Sequence, residues 1–103
     1  MIDPEDCATM TEVRTGVDET DRALSRLLAR RFGYMDAAAR IKPERGQVRD
    51  AVRKKQVIAN ITAHAVADGW PPHVAKLLWE QLVEASIAFE LERFDALRTS
   101  VAD

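Results

Sequence analysis

The chain has 103 residues, 47% of them apolar and 31% charged, with a formal net charge of −2. That balance fits a single soluble domain over residues 1–103 and excludes the strong basic excess of a nucleic-acid binder. No apolar run approaches the ~20 residues of a membrane span, and the acidic opening MIDPEDCATM lacks the apolar core of a signal peptide. Cys7 is the only cysteine, so no internal disulfide can form and a reducing, cytoplasmic setting is expected. In chain order, Thr9 and Glu12 match a capping box, which opens a first helix. Its pattern runs unbroken to about Lys42, where Pro43 stops it, because the residue before proline resists helical geometry. KPERGQ, residues 42–47, reads as a short polar loop. A second helix is expected from about Val48 to Ala67, ended by Asp68-Gly69 with the glycine as a left-handed cap. Trp70-Pro71-Pro72 makes a turn, and a third helix runs from about Pro72 to Arg98. No run of alternating β-branched residues interrupts this series, so the fold class is all-α with three helices, the first one long.

The length of the first helix has a consequence. About 32 residues at ~1.5 Å each span ~48 Å. A compact 100-residue domain is only ~33 Å across. Met10, Arg14, Val17, Asp21, Leu24, Leu28, Arg31, Met35, Ala38 and Lys42 form a seam at alternating spacings of four and three. Val13, Leu27, Tyr34 and Ile41 lie beside it. Burial of both stripes against a second copy predicts an intertwined helical homodimer.

Leucine, methionine and alanine belong in such a seam; Arg31 and Lys42 do not. They differ by only ~20° around a straight helix. The second helix adds Arg53, one turn before Val57. On the third, Val83, Ile87, Glu90, Phe94 and Leu97 repeat at four and three, with Glu90 in the middle. A carboxylate among apolar residues pairs with a cation or takes a proton. Each cation alone has an ordinary explanation, a stem laid on the seam with its head in water. Asp21 can pair with Arg14 or Arg31, and Glu90 with Lys42. Taken together, the excess of cations points to a ligand with more than one negative charge. A small dicarboxylate fits, because guanidinium forks match carboxylates at two points.

Other chemistries find little support. His64 and His73 are isolated from any ligand set, so no metal is expected. There is no GxGxxG, phosphate loop or nucleophile elbow. Trp70 and Trp79 read as packing residues.

The ordered set PEDC at 4–7, Arg14, Asp18, Asp21, Arg30-Arg31, Tyr34, Ala37-Ala38, Arg40 and Lys42 resembles the all-helical chorismate mutase family, closest to its isochorismate pyruvate lyase branch. The resemblance implies three interlocked helices per chain, a dimer with two buried sites and no cofactor. It implies that Arg14 reaches into the partner's site to hold one substrate carboxylate and Arg31 holds the other. Lys42 would contact a carboxylate and the ether oxygen. Arg53 would support binding, Val57 and Ile87 would wall the ring, and Glu90 would stand beside the ether oxygen. Residues 43–48 would form a lid. Three positions lean toward the mutase. Glu90 stands where the lyase has glutamine, Ser86 resembles the mutase pattern, and Asp50 is similar to the acid that meets the ring hydroxyl. Lys54 departs from the family, since it falls where a typical mutase has a second acid. The expected activity is rearrangement of chorismate to prephenate. Alternatives are release of pyruvate from isochorismate to give salicylate, a mutase acting on aminodeoxychorismate, and a non-catalytic helical dimerisation module.

Overall fold

The computed structural model describes residues 2–102, with side chains described through Thr99. Its elements in chain order are a 3-10 turn at Pro4–Asp6, helix α1 at Met10–Ile41, a 3-10 turn at Arg45–Gln47, helix α2 at Ala51–Asp68 and helix α3 at Pro72–Ala102. No strand occurs among the described residues. The chain divides at Gly33–Tyr34 into two compact units.

The first unit holds the opening turn and the first part of α1. The predicted capping box is present: the Thr9 amide donates to Glu12 Oε1 at 3.1 Å, and the Glu12 amide donates to Thr9 Oγ1 at 3.2 Å. The apolar members of both stripes in this unit are exposed in the single chain. Met10, Val13, Val17, Leu24, Leu27 and Leu28 are all exposed, Leu27 by 63%.

The second unit holds the rest of α1, the connection at residues 43–50, α2 and α3. Asp50 caps α2, its Oδ1 accepting from the Arg53 amide at 3.0 Å. The helix therefore starts at Ala51, three residues later than the sequence pattern implies. Val48 instead ends the 3-10 turn and is buried. Gly69 ends α2 at φ +81°, the only positive φ among the described residues. The amides of Gly69 and Trp70 both return to the Ala65 carbonyl. Gly46 adopts no such geometry. Helix α3 continues past Arg98 to Ala102.

The buried apolar side chains among the described residues are Ala39, Val48, Ala65, Ala75, Val83 and Phe94. Half of these are alanines, which let helices approach closely but bury little area each. Ala39, Val48 and Phe94 form a small cluster, joined by the partly buried Ile87, Leu91 and Leu97. This cluster brings the end of α1, the connection that follows it and α3 together.

Polar contacts fix α2 against α3. Arg49 grips Glu84 through two bonds of 3.1 and 2.8 Å, and Lys54 Nζ lies 3.0 Å from Glu84 and 3.1 Å from Glu80. Hydrogen bonds from Arg49 and then Lys54 hold the Glu84 carboxyl down at about 2. A depressed carboxyl stabilises the fold above its ordinary value near 4.5, and that contribution fades as pH falls from there toward 2. Glu84→Gln is therefore expected to lower Tm at neutral pH and to lose less Tm on acidification to about pH 3 than the wild type does. Parallel Tm losses in both proteins would count against this network.

Candidate active site

Lys42 lies just past the last residue of α1, its amide still donating to the Ala38 carbonyl at 2.9 Å. Proline at 43 ends the helix there, so the side chain leaves from a fixed C-terminus. Its Nζ donates to Glu90 Oε2 at 2.7 Å and approaches the Val48 carbonyl at 3.5 Å. Glu90 is only 4% exposed, among the most enclosed charged groups of the described residues. Of the two outcomes open to a carboxylate in an apolar seam, the structure takes the ion pair. Ser86 sits one turn earlier on α3, 3% exposed, and donates to the Leu82 carbonyl at 2.6 Å. Ile87 packs against the cluster of Ala39, Val48 and Phe94. Lys42 and Glu90 thus form a partly buried ammonium–carboxylate pair, their side chains 29% and 5% exposed.

The remaining expected residues take different positions. Asp50 is exposed and serves as the α2 cap. Arg53, also exposed, has Nη1 3.4 Å from Gln56 Oε1. Val57 is half-buried on α2. In the first unit Arg14 is exposed and Arg31 half-buried on α1. Lys54 turns its charge onto Glu80 and Glu84.

Sequence reasoning did not find the framework around the 3-10 turn at Arg45–Gln47. Glu44 and Gln47 form a capping box of their own, with Glu44 N donating to Gln47 Oε1 at 3.2 Å. Arg45 clasps Asp95 through bonds of 2.9 and 3.3 Å. The E-R-G-Q spacing carries the capping signal; nothing local announces Asp95 as the partner of Arg45.

No helix among the described residues is long and apolar enough to cross a membrane. No cluster of three His, Cys, Asp or Glu side chains suited to a metal occurs among them either. A long capped first helix, two further helices and a lysine–glutamate pair joining the end of α1 to α3 define an all-helical protein. The chain belongs to the chorismate mutase type II family, whose model matches residues 13–91. It is also similar to the isochorismate pyruvate lyase of Pseudomonas aeruginosa, 25% identical over 92 residues, which cover 89% of this chain and 91% of that protein.

Proposed function

We propose that the protein is a cofactor-free chorismate mutase. The Lys42–Glu90 pair carries this reading, because it puts a hydrogen-bond donor and a carboxyl group side by side in an enclosed place. In the reaction the bond between the ring and the ether oxygen breaks. At the same time the enolpyruvyl methylene carbon bonds to the ring carbon that bears the carboxylate. No atom leaves and no electron is exchanged with an outside group. The protein has two tasks: to hold the arm over the ring, and to stabilise charge on the ether oxygen.

Lys42 donates to the substrate carboxylate of the arm and to the ether oxygen. Glu90 stands beside the same oxygen on the α3 side. Arg31 and Arg53 bind carboxylates, and Val57 and Ile87 press on the ring faces. Ser86 and Asp50 contact the polar side of the ring. Arg14 completes the site of a second copy. Its exposure on α1, and that of the apolar stripes around it, support a homodimer. Sedimentation at micromolar concentration is expected to show two chains, and Leu24→Glu to yield monomers with little turnover. A wild-type monomer with full turnover would refute the shared site. The setting we propose is the cytoplasm.

A second reading, isochorismate pyruvate lyase, is favoured by the likeness to the Pseudomonas enzyme across almost the whole chain. Incubation with chorismate, isochorismate and aminodeoxychorismate separately, with products identified by mass, distinguishes them. Prephenate as the fastest product supports the mutase. Salicylate with pyruvate as the fastest product replaces it with the lyase. An amino-substituted product shifts the substrate, and no product from any of the three leaves a binding or dimerisation role.

A further inference from the structure

Arg98 makes a set of contacts that the site described so far does not use. Its Nη1 donates to the Ala39 carbonyl at 2.7 Å and its Nη2 donates to the Lys42 carbonyl at 2.6 Å. Nη1 also lies 3.4 Å from the carbonyl of Phe94, one turn back on its own helix. The guanidinium carbon stands 3.5 Å above the centre of the Phe94 ring. That ring is itself buried against Ala39 and Val48.

The physical sense of this arrangement is specific. The last carbonyls of a helix have no partner within it, and its C-terminus carries partial negative charge. A planar fork can meet two such carbonyls at once; an ammonium, a single point charge, cannot reproduce that geometry. Stacking on Phe94 removes further freedom from the fork. One of the two carbonyls belongs to Lys42, whose ammonium reaches Glu90 and approaches the Val48 carbonyl. The lid is fastened on its outer side by Arg45 and Asp95. Phe94, Asp95 and Arg98 all lie beyond residue 91, where the match to the family model ends.

We infer that Arg98 is a positioning residue: it clasps the open end of α1 through the Ala39 and Lys42 carbonyls and so aims the Lys42 ammonium at the site. It touches no substrate. Its effect passes through the Lys42 backbone and, by Phe94 and Val48, through the lid. The catalytic consequence rests on the proposed role of Lys42; the clasp itself does not.

Two measurements on the full chain separate these parts. In the first, Arg98→Met is compared with wild type for amide hydrogen exchange over residues 42–48 without substrate. Loss of the clasp is expected to speed exchange there by about tenfold while the middle of α2 is unchanged. Equal exchange over residues 42–48 would overturn the clasp, whatever the protein catalyses. In the second, turnover of whichever substrate the wild type accepts is measured for Arg98→Met and Arg98→Lys. A displaced Lys42 is expected to lower kcat about tenfold or more with a smaller change in KM, and lysine is expected to restore only part of it. Unchanged kcat in both variants would overturn the positioning role. Should Arg98→Met not fold, Arg98→Lys carries both measurements. If the wild type turns over no substrate, the functional reading fails and the exchange result still decides the clasp.

Discussion

Lys42→Met is expected to lower kcat/KM by about 10²–10³, the usual cost of losing one preorganised donor to developing negative charge. It should also lower stability, for a separate reason. Glu90 is 4% exposed, and Lys42 is its ion-pair partner. Removal of one member of a hydrogen-bonded pair leaves the enclosed one desolvated and unpartnered, which typically costs ~1–3 kcal/mol, and more for a charged group. The double variant Lys42→Met/Glu90→Gln separates the effects. An amide carries no charge to strand, so most of the lost stability should return while turnover stays low. Thermal unfolding and steady-state kinetics on the three proteins check this. Recovery of turnover together with stability would mean that Lys42 serves the fold alone.

The second large effect concerns Glu90. As an ionised partner of Lys42 it neutralises the donor and can offer no hydrogen to an ether oxygen. Glutamine removes both obstacles, since its amide always donates and Lys42 is left free for the substrate. Glu90→Gln is therefore expected to raise kcat/KM for chorismate by about tenfold. Glu90→Ala, which has no donor at all, should fall well below wild type under the same conditions. Equal turnover in the glutamine and alanine variants would remove Glu90 from the reaction.

Much of this architecture was legible because it is local. The Thr9–Glu12 box, the stop at Pro43 and the left-handed Gly69 each depend on a few neighbouring residues. Glu90 stood out because a carboxylate breaks an otherwise apolar spacing, and its pairing with Lys42 is an outcome that spacing allows. The start of α2 was misplaced for an equally local reason. Val48 fits the apolar period of a helix, while Asp50, a strong capping residue, reads also as a ligand for a hydroxyl. What could not be read was the matching of distant helices. Arg49 and Lys54 meet Glu84 only because α2 and α3 settle in one register, and a surface charge does not announce that register. Arg98 is the clearest case. In sequence it is an arginine late in a helix, a common place for a solvated cation. Only the fold shows that the end of another helix lies beneath it.

The wet stripes of α1 belong to the same account. Half of the buried apolar side chains among the described residues are alanine, which leaves large aliphatic groups for another surface. The proposed dimer covers them with the same act that delivers Arg14. Stability and catalysis would then depend on one association.

The most direct test of the central claim observes the Lys42 ammonium itself. Nitrogen-labelled lysine gives an Nζ signal that Lys42→Met assigns, and a partly buried, paired ammonium should be resolved from its solvated neighbours. Addition of prephenate is expected to shift that signal at a concentration matching its inhibition of turnover, as a ligand anion replaces Glu90. Inhibition by prephenate with the Lys42 signal unmoved would place the substrate elsewhere and contradict the account.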